Sequence, residues 1–278
     1  MCKVIAIANQ KGGVAKTTTA VNLGIGLAKA GKKVLIIDND SQGSMTICMG
    51  QQNPDNIKYT LASIYDRLIQ EDEEFNLDDI DLAESYEKKI TFDVREGILT
   101  SEEGVDYIPS NICLAATELT LVQVERREEV LKDYIHQIKQ YYDYVLIDCL
   151  PSLGLLAANA FACADSLLIS MPPAFLATKG LQDLIKTYVR VKRKINPKLK
   201  IEGIVFTMVD NTCHSKEIMQ EIESVYGKKI NVFHTSIPKA IRAVDATACG
   251  MSIYKYDSKS KVALAYENLT KEVLENEN

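Results

Sequence analysis

The stretch Lys3–Ala20, KVIAIANQKGGVAKTTTA, decides how the rest of the chain is read. Val4, Ile5, Ala6, Ile7 and Ala8 form an unbroken apolar run, the pattern of a strand buried on both faces. Gly12 and Gly13 interrupt it. From Lys16 the residues suit a helix as far as Ala30, where Gly31 stops it. Strand, glycine loop and helix in that order aim backbone N–H groups and a helix N-terminus at a phosphate. Lys16 would then sit among β- and γ-phosphate oxygens, and the Thr17 hydroxyl would reach a Mg²⁺ ion bridging them. The chemistry this arrangement suits is the binding of a nucleoside triphosphate.

Outward from this stretch the chain alternates strands and helices. Lys33–Asp38 reads as a second buried strand, residues 60–69 as a helix with a stripe at Leu61, Ile64, Tyr65 and Leu68, and Val105–Pro109 as a short strand. Glu125–Tyr141 has the periodicity of an amphipathic helix, with Val130, Leu131, Tyr134, Ile135, Ile138 and Tyr141 inward. Next come a strand at Tyr144–Asp148, a helix near Gly154–Cys163, a strand at Ser166–Met171 and a long helix through about Ile195. A strand at Ile201–Val209, a helix near Ser215–Tyr226, a strand at Ile230–Ile237 and a helix at Lys259–Leu274 complete the order. Such alternation predicts an α/β fold: one doubly wound, mostly parallel sheet with helices on both faces. No internal repeat or linker divides the chain, so residues 1–278 are expected to form a single domain.

Two further motifs fall at strand ends, where open α/β sheets bind ligands. They are I-I-D-N-D-S-Q-G-S (Ile36–Ser44) and Y-V-L-I-D-C-L-P-S-L-G (Tyr144–Gly154). A carboxylate pair such as Asp38 and Asp40 just past a strand suits a Mg²⁺-nucleotide site, one ordering a metal-bound water and the other an attacking water. The strict phosphate-loop pattern would place glycines at positions 10 and 15, where this chain has Gln10 and Ala15. What stands here, K-G-G-V-A-K-T-T with Lys11 ahead of the glycine pair, resembles the deviant Walker A box of the ParA/MinD family of P-loop ATPases. The flanking A-N-Q and T-A-V-N-L-G are similar to the partition ATPases within that family, and the closing segment from Tyr256 is similar too.

The resemblance implies ATP and Mg²⁺ as cofactors and slow ATP hydrolysis as the activity. By resemblance, Lys11, Gly12, Gly13, Val14, Ala15, Lys16, Thr17 and Thr18 hold the phosphates; Thr17, Asp38 and Asp148 serve the metal; and Asp40 activates or positions the hydrolytic water. Asp210 and Pro238, in segments that look like the family's adenine-side strand and loop, would neighbour the base. Lys11 would cross an ATP-dependent homodimer to the partner's phosphates, a cation in trans of the kind that accelerates phosphoryl transfer by roughly 10³–10⁵. In the partition ATPases the dimer binds double-stranded DNA without sequence preference, and a ParB-like centromere-binding protein triggers hydrolysis. Arg242 aligns with a basic DNA-contacting position, and Thr212 replaces an arginine of relatives. Arg190, Lys192, Arg193 and Lys194 are offered as compensation for it. Three departures mark the motifs: Ala15 for glycine, and Ser41 and Leu150 each for proline.

Composition narrows the alternatives. The net charge of −6 averages unlike parts. Residues 66–103 hold fourteen Asp/Glu against four Lys/Arg, an acidic surface elaboration, whereas Lys179–Lys200 holds eight Lys/Arg against Asp183. No apolar run approaches the ~20 residues of a membrane span. The chain opens directly into a strand, so no signal peptide is expected and a cytoplasmic protein is the reading, with association with the nucleoid implied by the resemblance. Seven scattered cysteines without a C-x-x-C pair are expected to be reduced, most of them in the core. That spacing does not suit an iron–sulfur carrier. A MinD-like regulator at a membrane would need a basic amphipathic C-terminal helix, whereas the tail K-E-V-L-E-N-E-N is acidic. A sequence-specific repressor would need a reading domain ahead of the loop, and a metabolic kinase or synthetase would respond to a small acceptor rather than to DNA.

Overall fold

The computed structural model describes residues 2–73 and 90–276. β1 (Lys3–Ala8) leads through the glycine loop into α1 (Lys16–Lys29), then β2 (Val34–Asn39) and the short α2 (Ser44–Cys48). α3 (Leu61–Glu73), β3 (Leu99–Thr100), β4 (Asp106–Ile108), α4 (Cys113–Leu121) and α5 (Val130–Ile138) follow. β5 (Tyr144–Cys149), α6 (Leu155–Cys163), β6 (Ser166–Met171), α7 (Phe175–Lys194) and β7 (Lys200–Phe206) come next. α8 (Cys213–Tyr226), α9 (Ile241–Ala248), α10 (Ile253–Tyr256) and α11 (Lys261–Glu275) close the described chain.

The seven strands form one sheet in the order β3-β4-β2-β5-β1-β6-β7, parallel except for the β3 edge. Period-two alternation feeds two cores. Val4, Ala6 and Ala8 of β1 pack on the face covered by α3, α5 and α6, while Ile5 and Ile7 pack on the face covered by α1 and α11. The expected α/β sheet is therefore present, with β1 at its centre between β5 and β6. α1 ends where the sequence says it should. Gly31 takes φ 85°, and the N–H groups of Gly31 and Lys32 close back onto Ala28 and Leu27 carbonyls.

Several expectations need correction. The helix read at 125–141 starts only at Val130, and Arg126 in the turn before it has φ 50°. The buried Asn159 of α6 decides this. Its amide donates to the Arg127 carbonyl at 2.7 Å, and its oxygen accepts the Leu131 N–H at 3.0 Å, so a side chain from a distant helix caps α5. Tyr141 lies in a 3₁₀ turn after α5 and is exposed, not inward. The strand expected at 230–237 is reduced to isolated bridges, Ile204 with Val232 and Val209 with Pro238. Between them His234 and Thr235 turn their N–H groups to the Glu272 carboxylate of α11, at 2.9 and 2.8 Å.

Residues 74–89 of the acidic segment lie outside the described residues. Its flanks are not mere surface decoration. Asp66–Glu73 lie within α3, Ile90 is buried, and the Glu103 carboxylate accepts the Ser252 N–H at 3.0 Å. Of the cysteines, Cys48 and Cys149 are buried and Cys2 and Cys163 half-buried, while Cys113, Cys213 and Cys249 are exposed. Most are therefore not fully in the core.

Candidate nucleotide site

The glycine loop emerges from the C-terminal end of the central strand. Gly13 takes φ 68° and Ala15 φ 62°, ψ 28°, both left-handed. At Ala15 that conformation costs about 1–2 kcal/mol relative to glycine's tolerance of it. No side chain caps α1, so its first N–H groups point into the loop's concavity, as an anion site requires. The buried Lys16 ammonium donates to the Lys11 carbonyl at 3.1 Å, folding the loop around it. Burial pulls that ammonium below the usual lysine range, while Asp148 pulls the other way. Among the described residues Lys11 itself has no carboxylate partner for its ammonium.

The neighbouring strand ends bring in the carboxylates. Thr17 Oγ1 donates to Asp148 Oδ2 at 2.7 Å, and the fully buried Asp148 Oδ1 has no hydrogen-bond partner. A hydroxyl beside an orphaned carboxylate oxygen is a hard-oxygen donor set that fits Mg²⁺. Burial, then Asp38, push the Asp148 carboxyl up to about 8. Asp38 is differently employed. Its Oδ2 accepts both the N–H and the hydroxyl of Thr46, at 2.8 and 2.6 Å, and its Oδ1 accepts the Asp40 N–H at 3.3 Å. It braces α2 and the turn carrying Asp40, and burial raises its carboxyl to about 7. Asp40 is half-buried, lines the cavity and accepts the Gln42 N–H at 3.0 Å.

The loop from Gly12 to Thr18 and Asp40 share a cavity of about 680 Å³ with Met208, Ile237, Pro238, α9 and Tyr266. Its far wall is apolar, suited to a flat base. Pro238, expected beside the base, is among the residues lining this cavity. Asp210 does not line this cavity; it is exposed and braces the start of α8, accepting from Thr212 Oγ1 at 2.7 Å and Ser215 Oγ at 2.5 Å, while Thr212 itself is the N-cap. Sequence reasoning missed the α9 wall (Ile241, Ala243, Val244) and Met208, which takes φ 55°. The adenine-side segments, Gly203–Asp210 with Met208 and Ser236–Arg242 with Ile241, gave the only hint of them.

The basic residues divide between two places. Arg242 is the second residue of α9, beside the cavity, and pairs with Asp257 at the end of α10. Arg190, Arg193 and Lys194 are exposed at the end of α7. Lys192 there donates to the Leu199 carbonyl at 2.5 Å and lies over the Tyr188 ring, so it is occupied within the fold. Lys192 shares a groove with Lys3, Ser166 and Lys200, the first residues of β1, β6 and β7. The α7 cluster thus sits at the strand-start end of the sheet, opposite the nucleotide loop, and does not adjoin Thr212.

Fold and site together define a P-loop nucleotide-binding protein. A family model described as an AAA domain matches residues 2–201. The sporulation initiation inhibitor protein Soj of Bacillus subtilis is 39% identical over 277 residues, covering 99% of this chain and all of Soj. The chromosome partitioning protein ParA of Caulobacter vibrioides is 36% identical, covering 99% of this chain and 95% of ParA. Among solved structures, cobyrinic acid a,c-diamide synthase from Mycobacterium smegmatis with a bound ATP analogue and magnesium superposes with a TM-score of 0.79. It is 29% identical and covers 99% of this chain and 96% of its own. The chain belongs to the ParA/Soj-type ATPases of the ParA/MinD P-loop family.

Proposed function

We propose that this protein is an ATP-dependent DNA partition ATPase whose ATP-bound homodimer binds DNA without sequence preference and releases it on hydrolysis stimulated by a ParB-like partner. Whole-length similarity to Soj and ParA supports the partition role. The observation that carries the nucleotide-to-DNA link is α9: Ile241, Ala243 and Val244 line the nucleotide cavity, and Arg242 lies between them. A base seated against this wall bears directly on the helix that presents the DNA-contacting cation.

In this reading the loop N–H groups and Lys16 bind the phosphates, and Thr17 and Asp148 would hold Mg²⁺, which would supply positive charge to offset that on the phosphoryl oxygens. Asp40 orients the attacking water. Lys11 faces the partner protomer's phosphates, and two triphosphates buried face to face are tolerable only with such cations between them. Arg242 makes the nucleotide-coupled DNA contact, whereas Arg190, Arg193 and Lys194 add attraction independent of nucleotide. The membrane reading has less support. The apolar stripe of α11, including Tyr266, Leu269 and Val273, is spent on the core against α1, and no described helix is long and apolar enough to cross a membrane. The test is DNA retention at low salt with no nucleotide, ADP, ATP or a slowly hydrolysed ATP analogue, on wild type and Asp40→Ala. Retention with ATP alone, salt-sensitive and prolonged in the variant, is expected. ATP-dependent dimers that retain no DNA in any state would overturn the DNA reading.

A further inference from the structure

Ala15 is held in a backbone conformation that side-chain-bearing residues avoid, and the structure shows what holds it. The carbonyl of the preceding residue, Val14, accepts two hydroxyl hydrogen bonds: Ser170 Oγ at 2.7 Å and Thr207 Oγ1 at 3.0 Å. Ser170 sits near the end of β6 and Thr207 directly follows the adjacent strand β7, and both side chains are fully buried. Two donors fill both lone pairs of that oxygen, so the Val14–Ala15 peptide plane is fixed from the sheet side. Because a trans peptide points its N–H opposite its C=O, the Ala15 N–H is turned away from the sheet, toward the cavity that Ala15 lines. Among the described residues that N–H has no protein acceptor. A second brace runs in parallel. The Asn9 amide donates to the Ser170 carbonyl at 2.7 Å, and its oxygen accepts the Lys11 N–H at 2.9 Å. Both ends of the loop are thus tied to the same point of β6.

We infer that Ser170 and Thr207 are positioning residues for the triphosphate: as a pair they hold the Val14–Ala15 peptide so that the Ala15 N–H faces a phosphate oxygen. They make alanine workable at a position where the box of the family has glycine. A glycine there reaches the same conformation without outside support, so dependence on the two hydroxyls is a consequence of Ala15. This inference rests on the nucleotide-site reading, and wild-type affinity for ATP serves as its control.

The experiment compares wild type, Ala15→Gly, Ser170→Ala/Thr207→Val and the triple variant. Affinities for a fluorescent ATP analogue and for MgADP are measured at equilibrium, and the urea midpoint of each nucleotide-free protein is taken alongside. Loss of both hydroxyls is expected to weaken nucleotide binding by about tenfold, near the net worth of one buried hydrogen bond. In the Ala15→Gly background the loss should shrink to within about threefold. Thr207→Ser, which keeps the donor, should bind nearly as wild type does. An equal loss in both backgrounds, or none in either, would overturn the inference. Should the double variant fail to fold, Ser170→Ala and Thr207→Val are tested singly in each background with the same criterion. Failure of the wild type to bind ATP would instead reject the site itself.

Discussion

Asp38 shows how a buried carboxyl can hold a turn in place while making stability depend on pH. Its carboxylate is fully buried, with Thr46 and Asp40 as hydrogen-bond donors and the charges of Asp40 and Asp148 nearby. Burial raises its carboxyl to about 7, above the ordinary value of about 4 in an unfolded chain. A raised carboxyl stabilises the fold below its unfolded value and loses that contribution as pH climbs through the folded one. Between about pH 4 and 7 the nucleotide-free protein should therefore lose stability, by at most about 1.4 kcal/mol per pH unit for this one proton. Asp38→Asn keeps the shape and an acceptor for Thr46, so urea midpoints measured across this window should fall less steeply than in wild type. A variant with an unchanged slope would show that other groups govern the dependence. Lys16 follows the same logic with the opposite charge, since a buried ammonium is poised for the anion that would restore its solvation.

At the scale of elements, α1 is the piece that most constrains the site, because its N-terminus must meet the phosphates while its body lies flat on the sheet. A Cβ at Gly24 would come within 2.5 Å of Ile36 Cδ1 on β2 and 3.3 Å of Leu146 Cδ1 on β5. One at Gly26 would meet the Thr270 hydroxyl of α11 and the Tyr254 hydroxyl at 2.9 Å. These glycines buy proximity, at about 1 kcal/mol of helix propensity each. Gly24→Ala is expected to destabilise the protein by roughly 1–2 kcal/mol, overpacking outweighing the propensity gained. It should also weaken ATP binding, because α1 can yield only by shifting away from the sheet. Chemical denaturation with nucleotide titration checks both effects; a stabilised variant would mean that Ile36 repacks freely.

Across the whole molecule, the two groups of basic residues lie at opposite ends of the strands. Arg242 stands on α9 beside the nucleotide cavity and the α7 end stands at the strand starts. DNA affinity measured over a range of salt should distinguish them. Arg242→Ala should reduce the logarithmic salt slope by about one per protomer in the ATP state only. Arg190→Ala/Arg193→Ala/Lys194→Ala should flatten it with and without nucleotide. Equal effects of both variants in every nucleotide state would remove α9 from the coupling.

The central strand, the loop at residues 11–18, α1 and the carboxylates at the ends of β2 and β5 were legible in the sequence. Each is written in a contiguous run whose periodicity, glycines and terminal charges act over a few residues. Long-range contacts decided the rest. Asn159 of α6 caps α5 and sets its start, Glu272 of α11 draws His234 and Thr235 out of a strand, and Thr46 takes the carboxylate of Asp38. Asp210 turns to the hydroxyls of Thr212 and Ser215 at the start of α8, and α9 arrives as the cavity's apolar wall. A hydrogen bond or an apolar contact between residues far apart in the chain leaves no periodicity in either segment, so only the folded molecule reveals which partner each side chain has taken.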